Sequence, residues 1–184
     1  MYKPLPDSLT IKQEKKIMKY KTHKKFLAPD VFEKIKDLIM GRDFPWRRRN
    51  HMTSNPSDKM FFTYSFYNDM APTSELYEPY IIPILKKLEG VAPIQIRANM
   101  FISALFKTCG WHSDYDFKCK TAILYLNDCD GGTELKINNK ITFIKADANK
   151  MLVFDTPILH RAITSNKEPI RYIINFNYFI SLKM

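Results

Sequence analysis

Three residues of this sequence have the types and spacing that a metal site requires. His112 and Asp114 stand two positions apart in a β-rich segment, and side chains two apart on an extended strand point to the same face. The chain has four histidines, and His160, at the start of a later β segment, can supply a third ligand. Two imidazoles and one carboxylate suit non-haem Fe(II) and leave positions open for a co-substrate and O₂. A zinc hydrolase could use the same ligands.

Arg171 follows His160 by eleven positions and opens the last β segment. An arginine among apolar residues is costly to bury unless it has an anionic partner. Its planar guanidinium offers two parallel hydrogen bonds to a carboxylate. A dicarboxylate that chelates the metal at one end and binds Arg171 at the other would satisfy both sites. A zinc hydrolase would leave this arginine without a role.

Short β-rich segments, separated by turns, must position these four residues. Turn-forming residues occupy 128–132 and 138–139. Roughly eight short strands with few helices between them predict a closed or double-sheet β fold such as a jelly roll. The segments are residues 94–106, 111–114, 121–127, 133–137, 141–145, 151–154, 162–164 and 170–180.

The first ninety residues have a different pattern, which predicts mainly helices, with a loop or short strand over residues 43–52 and a β-rich stretch over residues 61–67. Residues 28–40 place apolar side chains on one face at helical spacing. Residues 74–88 also indicate a helix, which two internal prolines should bend or split. Residues 9–25 are basic and have few apolar anchors, so they predict an exposed helix or a partly loose segment. We expect one domain over residues 1–184, of mainly β (α+β) class, with a helical layer over about 1–90 and a jelly-roll core over about 92–181.

The positive charge is concentrated near the beginning of the chain. The 184 residues include 29 Lys and Arg against 19 Asp and Glu, a formal net charge of +10. Residues 1–50 hold 14 of the basic and 6 of the acidic residues, which leaves +8 there. Such charge indicates either a nucleic-acid partner or a solvated helix surface. The run Trp46-Arg47-Arg48-Arg49 has the same two interpretations: a nucleic-acid contact, or a structural Trp beside solvated arginines.

The composition excludes several classes of protein. A content of 45% hydrophobic and 14% aromatic residues excludes disorder throughout the chain. No run reaches the ~18–20 apolar residues of a membrane span, and residues 1–25 lack the apolar core of a secretory signal. Cys109, Cys119 and Cys129 are few, odd in number and fit no common zinc pattern. We therefore expect free thiols and a cytoplasmic location.

The set His112-x-Asp114, His160 and Arg171 resembles that of the 2-oxoglutarate/Fe(II)-dependent dioxygenases, in particular the prolyl-4-hydroxylase-like branch. The resemblance is strongest over residues 94–180. Compact size and the final strand look most like small members encoded by tailed bacteriophages, for which the location would be the host cytoplasm. Four further stretches resemble the family: residues 26–29, 121–127, 131–135 and 152–160.

The resemblance implies a double-stranded β-helix, or jelly roll, in which His112, Asp114 and His160 hold Fe(II). It further implies that 2-oxoglutarate and O₂ are consumed, that succinate and CO₂ are released, and that a substrate C–H bond is hydroxylated. Ascorbate is a candidate reductant. The residues expected to bind 2-oxoglutarate are Arg171, Tyr125, Thr121, Asn175 and Asn99. Plain packing is the alternative for Tyr125, and packing or support of other side chains is the alternative for Thr121 and Asn175.

The sequence leaves three classes of substrate as alternatives. The branch that the chain resembles favours a peptidyl residue, with proline first. The basic N-terminal end favours a nucleic-acid base that is hydroxylated or demethylated, which requires access to an unstacked base. A free small molecule such as an amino acid is a third candidate. The alternative to an enzyme is a non-catalytic jelly-roll module that serves in binding or as a virion component. The sequence is compatible with either a monomer or a homodimer.

Overall fold

The computed structural model describes residues 19–50, 60–105 and 107–181. This part of the chain forms two antiparallel sheets, an eight-stranded one and a three-stranded one, with two α-helices and one π-helical turn. The strands are β1 (Tyr20–His23), β2 (Arg47–Arg49), β3 (Phe61–Asn68), β4 (Ala71–Pro72), β5 (Gly90–Ile102), β6 (Lys120–Tyr125), β7 (Gly132–Ile137), β8 (Lys140–Lys145), β9 (Lys150–Asp155), β10 (Leu159–Ile163) and β11 (Ile170–Ile180).

The large sheet has the order β1-β9-β6-β11-β5-β3-β2, with β4 paired to β3 outside this path. The small sheet has the order β10-β7-β8. From β6 to β11 the chain crosses repeatedly between the sheets: β6, β9 and β11 join the large sheet, and the hairpin β7–β8 and strand β10 join the small one. This two-sheet arrangement confirms the mainly β class that the sequence predicts.

Strand β11 lies at the centre of the large sheet, and both of its faces are covered. Ile174 and Phe176 face the helical side and belong to its apolar core. Arg171, Ile173 and Asn175 alternate with them and face the small sheet. Successive side chains of a strand point to opposite faces, so burial on both faces explains why the strand is apolar yet carries polar residues at alternate positions.

Helix α1 (Pro29–Met40) packs on the outer face of the large sheet through Phe32, Ile35 and Ile39, which are buried at helical spacing. This confirms the helix predicted over residues 28–40. The π-helical turn Tyr77–Ile81 and helix α2 (Ile82–Lys87) follow β4. They replace the single helix of residues 74–88, as the two internal prolines predicted. Neither described helix is long and apolar enough to cross a membrane.

Strand β3 confirms the β-rich stretch predicted over residues 61–67, and β2 lies within the predicted loop or short strand of residues 43–52. The N-terminal layer differs from the prediction at its beginning. Residues 20–23 form β1 at the edge of the large sheet, paired with β9, instead of the end of a helix. Strands β2, β3 and β4 extend the same sheet at its other edge. The remainder of the predicted segment, residues 9–18, lies outside the described residues.

The core between the two sheets consists of apolar side chains from both. Ile123, Leu152 and Ile173 come from the large sheet, and Leu135 and Ile144 from the small one. Towards one end of this core the residues become polar and a cavity opens. The sheets thus form a rigid frame on which the polar residues of the cavity are carried.

Candidate active site

The two histidines are held side by side by the backbone. His112 lies in the connection between β5 and β6, and residues 111–114 do not form the predicted strand. Instead His112 makes a single antiparallel bridge to His160 of β10. The amide N–H of His112 donates to the carbonyl of His160 over 3.1 Å, and that of His160 donates back over 2.8 Å. Opposed residues of such a pair project to the same side, and the two ring centroids are 4.4 Å apart.

Asp114 completes a cluster of three metal-ligating groups. Its Oδ1 atom is 3.9 Å from Nε2 of His112 and 3.7 Å from Nε2 of His160, and the candidate ligand atoms lie within 4.8 Å of one another. The Nδ1 atoms of the histidines face the carbonyl oxygens of Gly110 and Ile158 at 3.0 and 3.2 Å. A carbonyl can only accept, so Nδ1 carries the proton and Nε2 presents a lone pair towards Asp114.

The second carboxylate oxygen of Asp114 is held by neighbouring side chains. Oδ2 accepts hydrogen bonds from Nδ2 of Asn177 at 2.7 Å, from Nδ2 of Asn175 at 3.3 Å and from Oγ1 of Thr121 at 3.4 Å. Nδ2 of Asn177 also donates to Thr121 over 3.0 Å. These bonds fix the carboxylate so that Oδ1 is left for the histidine side, which is the orientation that a metal requires.

The protonation states of the cluster suit a divalent cation. Burial lowers the pKa of His160, against the raising effect of Asp114, so its imidazole is neutral at neutral pH. Burial would raise the pKa of Asp114, but the charge that the two histidines carry when protonated, with the hydrogen bonds from Asn177 and Asn175, lowers it by more. The pKa of Asp114 therefore lies below its usual value, and the carboxylate is ionised. A neutral imidazole and a carboxylate are the forms that bind metals.

Arg171 is buried at the other end of the same cavity, with only 1% of its surface exposed. Its Nη1 donates to the carbonyl of Gly132 over 2.7 Å, and its guanidinium lies 4.7 Å from the centre of the Phe101 ring. The Nε atom is buried and has no hydrogen-bond partner. Among the described residues, no carboxylate forms an ion pair with it, and burial lowers the pKa of the guanidinium. A buried cation in this state fits an anionic ligand.

One cavity of about 290 Å³ connects the three metal-ligating residues with Arg171. Along β11, Arg171 and Asn175 lie on the same face four residues apart, or roughly 13 Å between their Cα atoms. A small dicarboxylate can span much of that distance. The polar lining residues are Arg97, Asn99, His112, Ser113, Asp114, Thr133, His160, Arg171 and Asn175.

The residues predicted to bind a co-substrate divide into two groups. Asn99 and Asn175 line the cavity together with Arg171. Tyr125 and Thr121 do not line it. The hydroxyl of Tyr125 is buried and donates to Thr133 over 2.9 Å, and Thr121 binds Asp114. Tyr125 thus contacts the cavity through Thr133, and burial raises the pKa of its hydroxyl to about 12, so it stays a donor.

The sequence-based interpretation did not include Asn177, Arg97 or Thr133. Asn177 could have been found, because it shares the face of Asn175 on the same strand. Arg97 stands two positions before Asn99 and has the same inward parity. Thr133 carries no signal of its own, since a threonine in a β-rich segment is ordinary.

The three cysteines, Trp46 and the arginines of β2 are explained by the structure without a role in the cavity. Cys109, Cys119 and Cys129 are buried thiols that form no disulfide in the described structure. Trp46 packs against the rings of Phe44 and Tyr172. The residues of β2, Arg47–Arg49, are exposed. Trp46 is therefore a packing residue beside solvated arginines, and its ring is not a free stacking platform.

Comparison with solved structures identifies the fold. A Pseudomonas putida prolyl-4-hydroxylase matches with a TM-score of 0.62 and 11% identity, covering 88% of this chain and 93% of that one. A Burkholderia pseudomallei oxidoreductase of the 2OG-Fe(II) oxygenase family gives 0.68 and 10%, covering 87% and 84%. A Trichoplax adhaerens prolyl hydroxylase, in complex with a hypoxia-inducible-factor peptide fragment, gives 0.62 and 16%, covering 87% and 83%. At these identities the likeness shows a shared fold, and it confirms the jelly roll.

Neither of the other comparisons adds a relative. No protein-family model matches the sequence. No curated protein matches it either.

Proposed function

We propose that this protein is an Fe(II)- and 2-oxoglutarate-dependent dioxygenase that hydroxylates a C–H bond of its substrate. The observation that carries the proposal is the shared cavity, in which His112, Asp114 and His160 face one end and the buried, unpaired Arg171 lies at the other. A metal alone would explain the three ligands. A dicarboxylate co-substrate explains the arginine as well, whereas a zinc hydrolase leaves it without a partner.

The residues present fit both groups. His112, Asp114 and His160 would hold Fe(II), and Arg171 would bind the distal carboxylate of 2-oxoglutarate with its guanidinium fork. When bound, the two groups supply the oxidising chemistry, in which 2-oxoglutarate and O₂ yield succinate, CO₂ and one hydroxyl group on the substrate. Phe101, bound face-on to the Arg171 guanidinium, helps to fix its orientation.

The protein contributes orientation and the exclusion of water. Asn177, Asn175 and Thr121 hold Oδ2 of Asp114, so the carboxylate keeps one oxygen directed at the histidines. The apolar lining of the cavity includes Ile123 and Ile173. Charges in a dry cavity interact strongly, so these walls strengthen the binding of the dicarboxylate by Arg171.

As substrate we propose a peptidyl residue, and proline first. Two of the structures that share this fold are prolyl hydroxylases, and one of these was solved with a peptide fragment. The cavity is open enough to admit a side chain that is presented on a peptide. The resemblance to small phage-encoded members has no counterpart among the three structures and stays a prediction.

The test of this proposal is succinate formation from 2-oxoglutarate in air, with Fe(II) and ascorbate, in the presence of a panel of proline-containing peptides. We expect succinate and one hydroxylated peptide in equal amounts. Arg171→Gln should lose most of the activity, whereas Arg48→Gln, a matched change on exposed β2, should retain it. Succinate formation without any hydroxylated peptide would contradict the choice of substrate. Iron binding without succinate formation would favour a non-catalytic module.

A nucleic-acid substrate is the second candidate, and one observation favours it. The exposed arginines of β2 lie at the edge of the large sheet, and Arg49 lies opposite Phe61, which lines the cavity. Fluorescence anisotropy with short single-stranded DNA, at two salt concentrations, tests this candidate. Binding that is lost in an Arg47→Ala/Arg48→Ala double variant would support it, and no binding even at low salt would exclude it.

A further inference from the structure

A second arginine, Arg97, lines the same cavity and has no role in the function proposed so far. It lies on β5, opposite Asn175 of β11 on one side and Ser65 of β3 on the other. Its Nε atom is buried and has no hydrogen-bond partner. No carboxylate among the described residues forms an ion pair with it. Arg97 is therefore a cation on the cavity wall that forms no ion pair with a described carboxylate.

The two arginines occupy different ends of the cavity. Arg171 is paired across the sheet with Phe101, and Arg97 lies four residues earlier on the same strand as Phe101, roughly 13 Å away along it. Asn175, the cross-strand partner of Arg97, donates to Asp114. Arg97 thus lies at the metal end of the cavity, and Arg171 at the end where the distal carboxylate of 2-oxoglutarate would bind.

Asp114 does not account for Arg97. Oδ2 of Asp114 is already held by two asparagines and a threonine, and Oδ1 faces the histidines. With Fe(II) and 2-oxoglutarate bound, the two charges of the metal and the charge of Arg171 are balanced by Asp114 and the two carboxylates of 2-oxoglutarate. The charge of Arg97 is then the one that is left over. Arg97 is half-buried and its Nε atom is fully buried. A partly desolvated cation without a counter-charge is costly, so the loaded cavity favours one further anion beside Arg97.

We propose that Arg97 binds a carboxylate of the primary substrate, close to the carbon that is hydroxylated. This inference rests on the proposed function and narrows its substrate class to acids. The carboxylate can belong to a free α-amino acid or to a peptide, either at its C-terminus or on an acidic side chain next to the reacting residue. A guanidinium binds a carboxylate through two parallel hydrogen bonds, which fixes the orientation of the substrate as well as its position.

Neighbouring charges agree with an anionic substrate. Burial lowers the pKa of Arg97, Arg49 lowers it further, and Asp114 raises it. Arg49 is exposed on β2, opposite Phe61, which lines the cavity. It therefore adds positive charge at the sheet edge beside the cavity, which would attract an acid.

The test is calorimetric titration of the full-length protein, loaded with Fe(II) and 2-oxoglutarate under argon so that no turnover occurs. In one arm, each free L-amino acid is compared with its amide. In the other arm, proline-containing tripeptides with a free C-terminus or a Glu neighbour are compared with their amide or Gln counterparts. We expect at least one acid to bind about tenfold or more tightly than its neutral partner, the range for a charge-assisted hydrogen bond. The arm that contains it identifies the source of the carboxylate.

Substitutions assign the preference to Arg97. Arg97→Gln should remove the preference for the acid, and Arg97→Lys should retain part of it. Arg42→Gln, at an exposed position after α1, should leave it unchanged. Affinity for 2-oxoglutarate should stay within about threefold in all three variants, which also shows that they are folded. The inference is wrong if no acid binds more tightly than its neutral partner, or if Arg97→Gln weakens 2-oxoglutarate binding instead. Wild-type protein that does not bind 2-oxoglutarate at all would contradict the proposed function itself.

Discussion

The side-chain amide of Asn177 donates to Oδ2 of Asp114 over 2.7 Å, from a strand that lies 63 positions later in the sequence. The bond joins the centre of the large sheet to a connection that has no regular structure of its own. It leaves Oδ1 of Asp114 for the two histidines. The bond thus ties one candidate metal ligand to the central strand of the large sheet.

Asn177→Ala should therefore weaken metal binding by about 10–100-fold, the usual effect of losing a side chain that orients a ligand. Isothermal titration with Mn²⁺ measures it. Asn175→Ala is the control, and its effect should be smaller because its bond to Asp114 is longer, at 3.3 Å. Equal affinities in wild type and Asn177→Ala would show that the carboxylate does not depend on this bond.

Arg171→Met should distinguish the effect of this arginine on the stability of the protein from its effect on 2-oxoglutarate binding. The change removes a buried cation that has no anionic partner, and a buried unpaired charge opposes folding. Without 2-oxoglutarate the melting temperature should hold or rise. The wild-type protein should be stabilised by 2-oxoglutarate through mass action, and the variant should not. Thermal unfolding with and without 2-oxoglutarate, at constant metal, measures both effects; a full ligand-induced shift in Arg171→Met would show that the dicarboxylate binds elsewhere.

Tyr125→Phe should affect stability more than co-substrate binding. The hydroxyl of Tyr125 donates to Thr133 and does not line the cavity. Loss of this bond should lower the free energy of unfolding by about 1 kcal/mol and change 2-oxoglutarate affinity by less than about threefold. Urea unfolding and titration calorimetry measure the two quantities. If affinity falls tenfold or more, Tyr125 contacts the co-substrate directly, as the family resemblance implied.

The three cysteines should react slowly with a thiol reagent in the folded protein. All three are buried, and burial raises the pKa of Cys119 and Cys129, which keeps them protonated. The thiolate is the reactive form, so at pH 8 fewer than one thiol per chain should react until denaturant is added. Fast reaction of all three in native buffer would contradict this burial.

The composition of the candidate site was predictable from sequence, because few residue types bind a metal or a carboxylate. The spacing of His112 and Asp114 predicted that they converge, but the structure brings them to His160 through one backbone bridge and not through a strand. The support of these residues was less predictable. Tyr125 has the expected inward parity. Only the structure shows that its hydroxyl donates to Thr133 and does not line the cavity.

The edges of the sheet were the least predictable part of the fold. Strand β1 is exposed along its whole length and polar, so no hydrophobic pattern marks it. It forms because it pairs with β9, some 130 residues later. Residues 111–114 show the opposite case. Their composition predicts a strand, but only His112 pairs, through one bridge to His160. The neighbouring residues do not continue this bridge into a strand.

The most direct test of the central claim is an anaerobic titration of the Fe(II)-loaded protein with 2-oxoglutarate, followed by visible absorption. A weak charge-transfer band should grow to saturation in the wild type. It should be absent in His160→Ala, which loses a ligand, and should require a much higher 2-oxoglutarate concentration in Arg171→Met. If the wild type shows no band and forms no succinate after air is admitted, the cavity does not hold the iron and 2-oxoglutarate that we propose.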